Sequence, residues 1–536
     1  MARADFPSMD VATLNARLRK PHEIALIDIR EAGEYGSGHA LLAVNLPWSV
    51  LEVNVTRLIP RRGTTVVVQD EEGGDRAGQA VLRLQQLGYR EVYLALGGVI
   101  AWRQAGYALF PGVNVLSKAF SEWLEHKAQT PSLTAETVYQ WQLSGKPLLL
   151  LDGRTPEEFR QHHIPGAINC PNAELLPWLK KQSFPADLPV VITCAGRTRG
   201  IIGAQSLIDA GVPQPVAALA GGTQAWRIAG QPLLSGGETP LPPRLPPQGN
   251  RPSALDAPAI PDISRGTLTQ WQADESVTTY VFDVRSREEY LAGTLPGALW
   301  VPGGQLVQTL DEYAATRGAR LVVFDPAGER AQFAAWWLYQ LGWSVSRCLD
   351  DGDLVIPTPR EPDLSALFPD IGTLDARKAR AQLTPEVQLL SADRSKPYLQ
   401  RHIAGARWVN RARLAQAVER LSADKPVWVC AEQTELAHAV AWDLRTRFRI
   451  AAQVVTGDAA AWQAAGWPLV EDDASLAESE RSDFLFWLHD RHSGNLQASR
   501  DYLAWEASLP AAVAREGGHG FRRLGPGGRT NEESGD

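Results

Sequence analysis

Residues 150–163 read LLDGRTPEEFRQHH. The apolar run that leads into it, LLLLD at 148–152, has no polar alternation. Such a run predicts a strand buried on both faces, as in a parallel sheet covered by helices. Three other stretches follow the same plan: LIDIREAGEYGSGH at 26–39, VFDVRSREEYLAGT at 281–294 and LSADRSKPYLQRHI at 390–403. Each has an apolar approach, Asp-x-Arg or a remnant of it, and an aromatic residue near its end. The anchoring arginines are Arg30, Arg154, Arg285 and Arg394, spaced 124, 131 and 109 residues apart. Repeats of that length are whole domains rather than solenoid turns.

Two further landmarks recur. A second apolar run ends at TVVVQD, VVITC, LVVFD and VWVC, whose last residues are Asp70, Cys194, Asp325 and Cys430. These lie 40, 40, 40 and 36 residues after the arginines. Ala-Trp then follows at Trp102, Trp226 and Trp462, each 32 residues after Asp70, Cys194 or Cys430. The third unit has Pro357 there. These tryptophans are read as core anchors. After Cys194 the stretch GIIGAQSLIDAG has helical spacing and a glycine stop. Strands alternating with helices predict an α/β fold with mainly parallel sheets.

The chain has 536 residues, 44% of them apolar and 21% charged, and a net charge of −8. This is ordinary globular composition, with no basic excess to attract nucleic acid or an acidic membrane. No uncharged apolar run approaches the ~18 residues of a membrane span, and MARADFPSMD has no apolar secretory core. Four cysteines in so long a chain suggest a reducing compartment, the cytoplasm. The expected domains are 8–110, 130–234, 263–357 and 370–470. Residues 235–262, with eight prolines, are read as an extended linker between two halves. Residues 471–536 are read as amphipathic helical pieces, including FLFWLHD and YLAWEASL, followed by a disordered end.

The chemistry concentrates in CAGRTRG, which begins at Cys194. A cysteine at a strand end and just before a helix can meet converging backbone N–H groups and the positive helix terminus. Arg197 and Arg199 add positive charge, Gly196 lets the backbone curl, and Thr198 can hydrogen-bond within the loop. All favour the thiolate, the reactive form.

The combination of LDGRTPEEFRQHHIPGAIN, VVITCAGRTRG and ALAGGTQAWRIAG resembles a rhodanese (thiosulfate sulfurtransferase-like) domain, and the whole chain resembles four such domains in tandem. The resemblance implies a five-stranded, mainly parallel sheet flanked by helices in each domain. It implies that Cys194 attacks the sulfane sulfur of a small donor, commonly thiosulfate, and passes it from a persulfide to cyanide, a thiol or a protein acceptor. Ala195, Gly196, Arg197, Thr198 and Arg199 match the anion-binding loop, and Arg154 borders it. No metal or organic cofactor is implied, and neither nucleic acid nor membrane is an expected partner. Family phosphatases have one residue more between Cys and Arg, which argues against phosphate-ester hydrolysis.

Asp70 and Asp325 cannot form persulfides, so the first and third domains are expected to be inactive, with Arg76 and Arg330 pairing with the aspartates. Cys430 is a second candidate thiol, but Glu432 and Glu435 beside it oppose a thiolate and an anionic donor. Cys170 and Cys348 are read as packed thiols, and His162 and His163 as turn residues. The competing function is a sulfur-carrying or partner-binding scaffold built on degenerate domains.

Overall fold

The computed structural model describes residues 6–237, 255, 257, 259–350, 352–358, 361–422, 424–471, 476–491, 494–516 and 520–525. Most of the Pro-rich linker and the end of the C-terminal segment lie outside these residues.

In the second domain the strand order is Ser132–Leu133, Val216–Leu219, Val190–Thr193, Leu149–Asp152, Ile168–Asn169, with every pairing parallel. The apolar runs 149–151 and 190–192 lie in two of the three inner strands, both buried throughout. The first domain repeats this order with Ser8–Met9, Val92–Ala95, Thr65–Gln69, Ile24–Asp28 and Val44–Asn45. The fourth does so with Gly372–Asp375, Ala452–Thr456, Val427–Cys430, Gln388–Ser391 and Arg407–Trp408. The third departs from the expected five strands. Its sheet has four: Leu299–Trp300, Thr279–Asp283, Arg320–Phe324 and Ser344–Cys348. A single parallel bridge between Asp262 and Arg347 stands where the other domains pair a fifth strand.

The Asp-x-Arg motif braces the turn after the first of these inner strands. Arg30 pairs with Asp28 at 2.8 Å, Arg154 with Asp152 at 2.7 Å and Arg285 with Asp283 at 2.6 Å. Each arginine also donates to the carbonyl eight residues on, at Gly38, His162 or Gly293. The fourth domain has lost the device. Ser391 takes the aspartate's place and bonds Asp393, while Arg394 is exposed.

The domains group in two compact units. One comprises 1–20, 24–112 and 359–486, the first and fourth domains; the other comprises 21–23, 113–358 and 487–536. The linker therefore does not separate two halves: it joins domains that share one core. Ile192 and Leu207 of the second domain and Phe282, Trp336 and Trp337 of the third belong to a single apolar cluster, and Trp337 Nε1 donates to Ser206 Oγ at 2.9 Å. In the other unit Arg411 of the fourth domain is buried between Glu52 and Asp443 and stacks on Trp48 at 4.2 Å. Among the described residues no helix is long and apolar enough to cross a membrane.

Candidate active site

Cys194 follows strand Val190–Thr193 and precedes helix Thr198–Asp209. Its Sγ accepts the N–H of Gly200 at 3.3 Å. The loop base is clamped from below: Thr223 N–H donates to the Cys194 carbonyl at 2.8 Å and Gln224 N–H to the Ala195 carbonyl at 3.1 Å. This approach requires Gly222, whose φ is +52° and whose added Cβ would fall 2.2 Å from the Cys194 carbonyl oxygen. Asn172 Nδ2 holds the Arg199 carbonyl at 2.9 Å.

The two loop arginines are not directed as the sequence suggested. Arg197 turns to the connector helix Val115–Ala128, where it pairs with Glu122 at 2.7 Å and with Glu125. Arg199 forms a two-pronged pair with Glu158, both contacts at 2.6 Å. Burial works against the Glu158 charge, but Arg199 outweighs it and holds the carboxyl down to about 2. Arg154 is 1% exposed and fully engaged with Asp152 and His162, so it is a brace and not an anion ligand. Thr198 Oγ1 makes no hydrogen bond among the described residues.

Cys194 is 2% exposed. Burial raises its thiol above the ordinary value, and Arg199 and the Gly200 N–H only partly offset this. The thiolate is therefore less favoured than the loop charges alone suggest.

Comparison of the domains separates scaffold from chemistry. The glutamate that caps the helix after Asp-x-Arg also grips the loop arginine in three domains: Glu34 with Arg76 at 3.2 Å, Glu158 with Arg199, and Glu289 with Arg330 at 2.5 Å. This pair is present with or without a cysteine, so it shapes the loop. In the first domain the Asp70 carboxylate fills the cradle, accepting N–H groups of Glu72, Gly73, Gly74 and Ala77 at 2.7–3.3 Å. In the third, Asp325 accepts from Ala327 and Arg330 N–H and from the Arg330 guanidinium at 3.1 Å. Each carboxylate is a fixed anion where Cys194 carries its sulfur. Asp325→Ala should lower stability by about 1.5–3 kcal/mol, because charged acceptors are lost from buried donors. Thermal unfolding measures this; an unchanged midpoint would show that the cradle does not need an anion.

The sheet register corrects the reading of Cys430. Asp28, Asp152 and Asp283 pair with Gln69, Thr193 and Phe324, and Asp70, Cys194 and Asp325 are the next residues. In the fourth domain Ser391 pairs with Cys430, which makes Ala431 the counterpart of Cys194. Cys430 packs with Trp428 and Trp462, on the side of the sheet opposite Val429 and Ala431, and its Sγ donates to the Leu390 carbonyl. Cys170 and Cys348 also lie in apolar cores.

The rhodanese-like domain family matches residues 10–105, 134–229 and 264–352. The chain belongs to the rhodanese family. The crystal structure of a thiosulfate sulfurtransferase from Pseudomonas aeruginosa is similar to it throughout, with a TM-score of 0.86 and 36% identity over 96% of this chain and 99% of that one. Thiosulfate sulfurtransferases from Azotobacter vinelandii and Pseudomonas aeruginosa are 27% and 29% identical over 194 and 192 residues, in both cases 31% of this chain, and 70% and 69% of the relatives. The matched segments leave out the fourth sheet, the one without Asp-x-Arg and with Ala431 at the position of Cys194.

Several residues of this rhodanese site escape a reading by motif. Glu158 and Asn172 lie in the repeat but gain meaning only from their contacts. Gln224, Tyr502 and Glu506 reach the loop from other elements: an added Cβ on Gly196 would lie 2.9 Å from Glu506 Oε2, 3.4 Å from Tyr502 Cε1 and 3.5 Å from Gln224 Nε2. The last two glutamate and tyrosine side chains belong to helix Leu496–Arg515, which packs on the connector helix and on helix Gly222–Ile228.

Proposed function

We propose that this rhodanese is a sulfurtransferase in which Cys194 carries the sulfur as a persulfide. The observation that supports it most directly is that Cys194 alone among the four cysteines stands at a strand end with its Sγ on a helix-terminal N–H, whereas the others lie in packed cores. The Cys194 thiolate attacks the outer sulfur of thiosulfate or a similar donor. The S–S bond breaks and sulfite leaves with the electron pair. The persulfide then rests by the Gly200 N–H until a thiophile such as cyanide or a thiol takes its outer sulfur. The names of the relatives favour thiosulfate as donor. The alternative, a sulfur-carrying scaffold, draws on the aspartates that fill the first and third cradles.

Incubation with thiosulfate should add one sulfur atom to the peptide bearing Cys194, as read by mass spectrometry under non-reducing conditions. Modification of another cysteine instead would overturn the assignment. The raised thiol also predicts a pH dependence. Only the thiolate attacks, so kcat/KM for the donor should rise about tenfold per pH unit while the thiol is mostly protonated. A rate independent of pH between 7 and 9 would mean that the thiol is already ionised at neutrality.

A further inference from the structure

Around the Cys194 loop, three polar side chains from three elements are buried without their full complement of hydrogen bonds. Thr198 is 4% exposed, Gln224 7% and Glu506 2%. Thr198 Oγ1, both Gln224 amide atoms and Glu506 Oε2 have no hydrogen-bond partner among the described residues. The other Glu506 oxygen, Oε1, accepts from Tyr502 Oη at 2.9 Å. Glu506 Oε2 and Gln224 Nε2 flank Gly196, two residues from the nucleophile.

Leaving one such group unpaired costs about 1–3 kcal/mol, and more for a charge. Four orphan atoms next to one nucleophile form a set of polar positions that a ligand would complete. The chemistry of that ligand follows from the atoms. A carboxylate oxygen needs a donor, best a cationic one. A primary amide offers two N–H donors and a carbonyl acceptor, and the threonine hydroxyl offers one of each. An oxyanion such as thiosulfate presents only acceptors and leaves the Glu506 and Gln224 acceptor oxygens unanswered. A molecule with an ammonium and a carboxylate or amide on adjacent atoms answers the whole set. Burial raises the Glu506 carboxyl above its usual range, Lys118, Arg491 and Arg197 oppose the shift, and a bound ammonium would oppose it further.

We propose that Gln224 and Glu506 form an acceptor subsite beside Cys194 for a small thiol of the amino-acid type, with Glu506 selecting its ammonium group. This rests on the reading of Cys194 as the sulfur-carrying thiol. In the transfer the acceptor thiolate attacks the outer sulfur of the Cys194 persulfide. The S–S bond within the persulfide breaks, Cys194 leaves as thiolate with the electron pair, and the acceptor departs as its own persulfide.

Two measurements on the full chain test the proposal. In the first, S-methyl-L-cysteine, which cannot accept sulfur, is titrated by calorimetry. Binding to wild type, weakened roughly tenfold or more by Glu506→Gln and by Gln224→Ala, is expected for loss of a charged hydrogen bond. No binding to wild type, or equal binding to Glu506→Gln, would overturn the subsite. In the second, persulfide-loaded protein is mixed with L-cysteine or with 3-mercaptopropionate, the same skeleton without its ammonium, at matched thiolate concentration. Wild type should prefer cysteine, and Glu506→Gln should lose that preference through KM rather than kcat. A preference unchanged in the variant would refute the role of Glu506. Failure to load Cys194 would refute the persulfide reading, while the calorimetric result would still decide the subsite.

Discussion

Cys194→Ser should reduce sulfur transfer from thiosulfate to cyanide to the rate of the uncatalysed mixture, whereas Cys430→Ser should leave it unchanged. The serine retains the loop, because Thr223 and Gln224 hold the loop carbonyls and Asn172 holds that of Arg199 without the sulfur. What it lacks is a nucleophile able to form and release an S–S bond at moderate pH. A loss on the order of a thousandfold or more is expected when a covalent nucleophile is removed from an otherwise intact site. Thiocyanate formation measures it. Turnover that survives Cys194→Ser would move the chemistry elsewhere. Loss in Cys430→Ser would restore the fourth domain as a participant despite its register.

Arg411→Ala should destabilise the unit that contains the first and fourth domains by about 3–5 kcal/mol. The Arg411 guanidinium donates to Glu52 at 2.7 and 2.9 Å, to Asp443 at 3.1 and 3.0 Å and to the Trp48 carbonyl at 2.8 Å. Its removal strands two buried carboxylates, with Arg83 left on Glu52 at 3.0 Å and Arg447 on Asp443 at 2.9 Å. Denaturant unfolding should show an earlier first transition, and a shift equivalent to less than about 1 kcal/mol would contradict the network. Acid supplies a second check. Burial opposes the Glu52 charge, but Arg411 outweighs it and holds the carboxyl below its ordinary value. Its contribution is complete above the unfolded carboxyl's range and disappears as pH falls through the depressed folded value. The gap between wild type and variant should therefore narrow in acid.

The repeat, the parallel sheets and the place of Cys194 at a strand end were legible because each is local. The strand runs are continuous apolar sequence, and Cys194 sits in a loop whose composition is distinctive. In the fourth domain Trp462 keeps the 32-residue spacing of its counterparts from Cys430, although strand pairing puts Ala431 in register. A spacing absorbs compensating shifts, while a hydrogen-bonded register does not. The loop arginines were legible as charges but not as pairs: Glu122, Glu125 and Glu158 belong to other segments. Tyr502 and Glu506, which stand beside Gly196, come from helix Leu496–Arg515, and no periodicity in that helix names its partner. Burial of Cys194 reversed the expected direction of its acidity.

The packing of helix Leu496–Arg515 beside the loop is a late event in biosynthesis. Helix Leu496–Arg515 begins 302 residues after Cys194. At about 5–20 residues per second, a ribosome needs roughly 15–60 s to make the intervening chain. For that interval the second domain can fold while its loop lacks the helix that later packs beside Gly196. The nascent chain passes through a stage in which the Cys194 loop is without the Tyr502 and Glu506 side chains that stand beside Gly196 in the finished protein.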